Sequence, residues 1–272
     1  MTSTTTPSGQ PSVLLICHEE DLIDSQGLAA WLGYSLHLAG IVLLREKPGS
    51  LLGRLRRERR RVGALRLADA LLFRLWYRLR WAAGDAAWKA DEVVHLRARY
   101  PADLSDVPVL RAADPNTPEV RDFIAGLQPD LALARIKVIL KPEIFTLPRY
   151  GCFVLHPGIC PEYRNAHGCF WALANRDLDN VGMTLLRVDP GIDTGPVYLQ
   201  ASYRFDERRE SHIVIQYRVV LENLDAIADM LRAICAGRAR VLDTRGRDSA
   251  VWGQPWLSAY WQWKRSAREA LA

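Results

Sequence analysis

Gly151-Cys-Phe-Val-Leu-His156-Pro-Gly-Ile-Cys-Pro-Glu-Tyr-Arg-Asn-Ala-His167-Gly168 is an apolar run that ends on a histidine and opens into a loop rich in proline and glycine. Such a run reads as a buried strand followed by a turn, and the ends of buried strands are where α/β sheets place their ligands. Further along, Asp189-Pro-Gly-Ile-Asp193-Thr-Gly195 follows another apolar run, so a carboxylate and an imidazole are expected to converge at one edge of a parallel sheet. A carboxylate beside an imidazole favours the imidazolium and fixes its orientation, which suits proton transfer or the stabilisation of an oxyanion. Taken alone, the pair supports acyl or proton transfer and names no substrate. Asp189, just before Pro-Gly, also reads as a carboxylate that caps its own loop.

Outward from this stretch the chain alternates. Ser12 to Cys17 reads as a first strand, Asp21 to Tyr34 as a helix, and His37 to Arg45 as a second strand. Leu51 to Arg80 reads as a long basic helix with Gly63 placed to interrupt it. Thr117 to Leu127 is a helix with Pro118 at its first turn, and Asp130 to Ala134 is a strand. A helix near His167 to Asn175 and strands near Gly182 to Val188 and Pro196 to Arg204 follow. This order predicts an α/β, doubly wound, mostly parallel, Rossmann-like sheet. Residues 1–11 are expected to be disordered, 12–206 to form the main domain, and 207–272 to form a small helical appendage rich in tryptophan. Trp252, Trp256, Trp261 and Trp263 are expected to pack that appendage onto the main domain.

Composition narrows the class. With 272 residues, 49% hydrophobic and 25% charged, the chain has the make-up of a soluble globular protein. The five cysteines form no C-x-x-C pair, which points to free thiols in a reducing cytoplasm and to no metal site. The first residues lack the apolar centre of a secretory leader, and no apolar stretch is long enough to span a bilayer, so no membrane partner is expected. The net charge of +5 is concentrated in Arg54 to Arg61 and Arg74 to Arg80. Leucines recur at helical spacing beneath those arginines, which favours a solvated helix face over a site for nucleic acid, lipid or a polyanionic cofactor tail.

The motifs match a known pattern. Leu140-Lys-Pro-Glu-Ile-Phe, Leu147-Pro-Arg-Tyr-Gly151, His156-Pro-Gly, Pro161-Glu-Tyr-Arg164, Gly182-Met-Thr184 and Gly191-Ile-Asp193-Thr-Gly195 stand in the order and spacing of the folate-dependent formyltransferases, which the chain resembles from about Asp130 to Gln200. That family includes methionyl-tRNA, glycinamide-ribonucleotide and sugar-nucleotide formyltransferases. The resemblance implies the formyltransferase fold, an Asn-His-Asp catalytic set in which His156 and Asp193 take the last two places, and N10-formyltetrahydrofolate as formyl donor. By the same resemblance the pterin ring would sit beside Ile139 and Leu140 and against the loop Val188 to Asp193, including Asp189 and Gly191, through backbone polar groups.

Val154 departs from the family, which usually has asparagine two residues before the histidine. Valine donates no hydrogen bond, and losing one oxyanion donor commonly costs about 2.7 to 4 kcal/mol of transition-state stabilisation. In one account Asn165 or His167 supplies the donor from the neighbouring loop. In another the scaffold keeps His156 and Asp193 for hydrolysis or a different acyl or peptide modification, and in a third it only binds. Methionyl-tRNA enzymes carry a sizeable second domain, which makes tRNA the less favoured acceptor and a small-molecule amine (an amino sugar, amino acid or peptide) the expected one. The acidic turn His18-Glu19-Glu20-Asp21 repels phosphate and would suit a cationic amine, or simply opens a helix. A homodimer is left open.

Overall fold

A computed structural model describes residues 10–45 and 51–269. The expected disorder of residues 1–11 therefore falls, up to residue 9, outside the described residues. The described chain is built on a seven-stranded sheet of order β3-β2-β1-β4-β5-β7-β8. Its parallel part comprises β1 (Ser12–His18), β2 (His37–Leu44), β3 (Val109–Ala112), β4 (Leu131–Arg135) and β5 (Cys152–His156). Two further strands, β7 (Met183–Arg187) and β8 (Val197–Ala201), extend it in antiparallel pairing.

The side-chain period of two divides the apolar residues of each strand between two layers. Val13, Leu15, Leu131, Leu133, Phe153 and Leu155 face one cluster, which they share with α1 (Ala29–Ser35), α7 (Gly168–Ala174), α8 (His212–Leu221), α9 (Leu224–Cys235) and α10 (Leu257–Glu269). Leu14, Ile16, Ala132 and Ala134 face a second cluster with α5 (Pro118–Leu127) and α6 (Pro142–Phe145). Helices on both faces of a mostly parallel sheet are the doubly wound arrangement that the sequence predicts. Trp263, fully buried, and Tyr260 join the first cluster from α10, while Trp261 stays 54% exposed.

The main departures lie between β2 and β4. The basic segment is two helices, α2 (Leu51–Val62) and α3 (Ala64–Arg80), broken at Gly63 with φ 83°. Its continuation, a polar stretch to which the sequence reading assigns no element, is a further helix, α4 (Ala82–Arg99), followed by the edge strand β3. The N-terminal helix also begins differently, as a wide π-type turn over Ile23–Leu28 before α1. Thr117 caps α5 by accepting from the Val120 amide, with Pro118 at the first turn as expected.

β7 runs antiparallel to β5, with His156 opposite Thr184 and Phe153 opposite Arg187. The C-terminal end of β7 therefore lies away from His156, and Asp193 reaches the histidine because the loop over 188–196 folds back. Convergence of two parallel strand ends is not the mechanism.

Two glycines let the histidine loop close on the next helix. A β-carbon on Gly168 would come within 2.7 Å of the Gly158 Cα and 2.8 Å of the Tyr163 carbonyl oxygen, both of them backbone atoms that cannot swing aside. Gly168→Ala should therefore lower unfolding stability by about 1–3 kcal/mol, the usual cost of overpacking, read as a lower midpoint in urea denaturation. A midpoint equal to wild type would show that the contact relaxes freely.

Candidate active site

His18, Arg135 and His156 end β1, β4 and β5 at the same edge of the parallel sheet, on either side of the place where strand order reverses between β1 and β4. Crevices of this kind are where open α/β sheets bind ligands.

His156 is 4% exposed. Its Nε2 lies 2.7 Å from the Tyr163 carbonyl oxygen and its Nδ1 lies 3.5 Å from Asp193 Oδ2. A carbonyl only accepts, so Nε2 carries the hydrogen and Nδ1 is the nitrogen presented to the carboxylate. A proton taken up at Nδ1 would sit between ring and carboxylate.

Asp193 has φ 51°, a left-handed conformation uncommon outside glycine. Its Oδ2 accepts a 2.7 Å hydrogen bond from the Asn165 backbone amide, and Asn165 itself has φ 76°. Two left-handed residues joined by one hydrogen bond tie the loop after β5 to the loop after β7. Arg164 adds a second tie, its Nη1 donating to the Ile192 carbonyl at 3.2 Å.

The C-terminal segment holds the first of these loops in place. β6 (Arg164–Asn165) pairs in parallel with β9 (Val251–Trp252), and the Asn165 side-chain amide donates to the Trp252 carbonyl at 2.6 Å. Trp252 stacks on Trp171 at 4.9 Å and on Tyr163 at 5.6 Å, and its indole N–H donates to the Glu162 carbonyl at 2.9 Å. Arg247 grips the Glu162 carboxylate with two nitrogens, at 2.8 and 2.7 Å. From below, the buried hydroxyl of Thr184 donates to the Gly158 carbonyl at 2.8 Å and accepts from the Cys160 amide at 3.0 Å. The Gly182-Met-Thr184 motif thus serves the loop that carries His156.

The remaining candidates are placed differently from one another. Val154 is half-buried against the second core cluster, opposite Ala134 on β4, and its side chain offers no donor. Asn165 stands next to Asp193, but one of its two amide hydrogens is already used by Trp252. His167, with φ 57°, is turned toward His212, ring centroids 6.0 Å apart. Burial is the first cause that pushes the His167 imidazole down to about 4, and His212 is pushed well below its ordinary value for the same reason. Asp189 caps its own loop, accepting from the Gly191 amide at 3.0 Å and the Thr194 hydroxyl at 2.7 Å. A β-carbon on Gly191 would meet Thr194 Oγ1 at 1.9 Å, so glycine is needed there. Ile139 is 60% exposed, Leu140 is buried, and Val188 is half-buried against the second core cluster.

A buried ion pair was not anticipated from the sequence. Arg135 donates to Asp24 at 3.1 Å and to the Leu155 carbonyl at 2.7 Å, one residue before His156. Burial raises the Asp24 carboxyl to about 6 against the pull of Arg135. Nearby, Lys89 donates to the Tyr217 hydroxyl at 2.8 Å, and that hydroxyl bonds Asp21. The signal for this network was an arginine closing the apolar strand Leu131-Ala-Leu-Ala-Arg135. The acidic turn is itself engaged: hydrogen bonds from Arg45 first and Arg111 second hold the Glu19 carboxyl down at about 2. A large cleft of about 1830 Å³ lies elsewhere, between α3, α10 and the segment 204–209, and its lining does not include His156 or Asp193.

The depressed value of His167 has a consequence for stability. Between pH 6.5 and about 4 the unfolded chain binds a proton at this histidine that the folded chain refuses, so this stabilising contribution is complete above pH 6.5 and is lost as pH falls toward 4. Urea titrations of wild type and His167→Asn across that window should show a shallower loss in the variant. Parallel profiles would mean that the imidazole protonates freely in the folded state.

Residues 84–230 match the family described as Formyl transferase. Among curated proteins, a methionyl-tRNA formyltransferase of Sorangium cellulosum is 40% identical over 93 residues, covering 34% of this chain and 30% of that protein. One from Geobacter sulfurreducens is 31% identical over 135 residues, covering 48% of this chain and 42% of that protein. The chain thus spans less than half the length of either relative. Among solved structures, the phosphoribosylglycinamide formyltransferase of Anaplasma phagocytophilum superposes with a TM-score of 0.53 at 13% identity, covering 91% of this chain and 100% of that one. A 4-N formyltransferase from Francisella tularensis superposes with a TM-score of 0.50 at 11% identity, covering 89% and 76%. At these identities the superpositions speak for the fold alone. The matched segment includes β4, β5, β7, β8 and the loops that bear His156 and Asp193, and it takes in more than half of the 272 residues, so the chain belongs to the formyl transferase family.

Proposed function

We propose that the chain is an N-formyltransferase that moves a formyl group from N10-formyltetrahydrofolate to the amine of a small molecule. The observation that carries this reading is the tie from the Asn165 amide to Asp193 and on to His156 Nδ1, a proton site at the C-terminal edge of the sheet.

The loops offer surfaces that fit a folate. Val138, Ile139 and Ile192 are exposed apolar side chains on the loops after β4 and β7, suited to the faces of a flat ring. Polar recognition there falls to the backbone, because the Asp189 carboxylate is used within its own loop. On this reading Ile139, Leu140, Val188 and Gly191 hold the cofactor with backbone groups and apolar contact, and Asp189 acts by shaping the loop. When bound, the folate supplies a formyl carbon open to attack by an amine.

The chain's own part is proton handling. An amine that becomes an amide must lose a proton, and His156 accepts one at Nδ1 while Nε2 stays bonded to the Tyr163 carbonyl. Asp193 lies beside Nδ1 and orients the ring. The separation of 3.5 Å is longer than a formed hydrogen bond, and such contacts often tighten only with substrate in place. Of the two sequence candidates for the missing donor, Asn165 fits better: it adjoins Asp193 and keeps one amide hydrogen, whereas His167 is packed against His212.

Val154 favours a second reading, in which the pair serves hydrolysis or another acyl transfer. Calorimetry separates the two. Binding of 5-formyltetrahydrofolate at micromolar concentration supports the first reading, and no binding at millimolar concentration supports the second. With a formyl donor, a panel of amino sugars, amino acids and peptides, with methionyl-tRNA as a further arm, would identify the acceptor. His156→Ala and Asp193→Asn should each lower kcat by about 10²-fold or more, the range for a general acid–base group, with little change in thermal midpoint. Wild-type turnover in either variant would overturn the assignment.

A further inference from the structure

Helix α3 carries apolar side chains on two opposite faces. Ala70 and Phe73 are packed inward, Phe73 lying 5.7 Å from Phe170 and from Tyr260. The outward face presents Leu65 at 89% exposure, Leu72 at 54%, Leu75 at 55% and Leu79 at 77%, with Leu71 beside them. Positions 65, 72 and 79 recur at the heptad interval with 75 between, so they form one continuous stripe along the helix. A single exposed leucine needs no explanation, but a contiguous apolar strip of this length marks a contact surface.

The charges of α2 and α3 are mostly positive. Arg56, Arg59, Arg60 and Arg61 on α2, and Arg78 and Arg80 on α3, are exposed, whereas Arg66 and Arg74 lie on the far side of α3, Arg66 over the Trp256 ring at 4.3 Å and Arg74 bonded to Gln254. Among the described side chains of the two helices, the carboxylates are Glu58, paired with Arg61, and Asp69, bonded to Ser258. At 3.6 residues per turn, Arg78 flanks one side of the leucine stripe, and Trp76 and Arg80 flank the other. Trp76 meets the half-exposed Trp261 edge-on at 6.2 Å, which adds an aromatic pair at that flank.

We propose that α3, together with the basic helix α2 that precedes it, lies on an anionic membrane surface, with the leucine stripe at the acyl boundary and the arginines among the lipid phosphates. A second copy of the chain would cover the leucines but bring arginines against arginines. A nucleic acid would neutralise the arginines and leave the leucines in water. An anionic bilayer surface satisfies both. This mode needs no membrane span, and no helix among the described residues is long and apolar enough to be one. The expectation of no membrane partner rested on the absence of a span and does not bear on a helix lying in the interface. The inference is independent of the formyl-transfer reading.

The test is co-sedimentation of the full chain with vesicles of phosphatidylcholine alone and of phosphatidylcholine mixed equally with phosphatidylglycerol, at low and high salt. Binding is expected to the anionic vesicles and to weaken with salt. The triple variant Leu72→Glu, Leu75→Glu, Leu79→Glu should lose at least tenfold in partition at an unchanged melting temperature, because all three side chains point to solvent. Should the triple variant misfold, Leu65→Glu at the most exposed position should still show a severalfold loss. Failure to bind at low salt, or equal binding by a folded variant, overturns the proposal. So does a dimer in ultracentrifugation that the triple variant converts to monomer, or tighter binding to a single-stranded RNA oligonucleotide than to the vesicles.

Discussion

One hydrogen bond, from the Asn165 backbone amide to Asp193 Oδ2, joins the two loops that carry the candidate chemistry. Both residues sit in the left-handed region, a strained conformation that asparagine and aspartate tolerate better than other non-glycine residues. Such strain persists only where surrounding structure over-determines it. Here the over-determination comes from the β6–β9 pairing, the Trp252 stack on Trp171 and Tyr163, and the Arg247–Glu162 fork. If these contacts loosened, Asp193 would lose the partner that aims its carboxylate at His156.

The C-terminal segment therefore does more than cover the sheet. It supplies the strand that pairs with the site loop and the carbonyl that occupies one hydrogen of Asn165. Behind β5, the Arg135–Asp24 pair adds a second constraint by holding the Leu155 carbonyl. A buried pair of this kind is weak evidence for net stability, because desolvation offsets much of the attraction, but it limits the positions open to the strand that ends in His156. The site is braced from the sheet below and from the C-terminal segment above.

The motifs legible in the sequence correspond to features of short range. His156-Pro-Gly marks a strand end and Gly191 is the residue on which the Asp189 cap depends; the exception is Gly182-Met-Thr184, whose hydroxyl acts 26 positions back, on the Gly158 carbonyl beneath the histidine loop. Less legible were α4 and β3. α4 mixes alanines with charges and buries only Asp85, Val93 and Leu96, so its apolar period is faint. β3 is an edge strand with Val109 and Arg111 exposed, too short and too open to show alternation against a buried face.

By itself, the sequence determined the doubly wound α/β class and the alternation that builds the core, and it marked His156 at a strand end and Asp193 in a loop as candidates, because strand periodicity and turn chemistry are properties of neighbouring residues. Only the tertiary structure decided the direction of β7, which depends on the route of a loop, and hence that Asp193 arrives by folding back rather than by a parallel strand end. It also decided that His167 turns to His212, while Asn165 gives its backbone amide to Asp193 and its side-chain amide to the carbonyl of Trp252, 87 positions further along the chain. The same holds for the outward leucines of α3. Helical spacing places leucines on a face, but whether that face meets the core or solvent depends on what the rest of the chain packs against it.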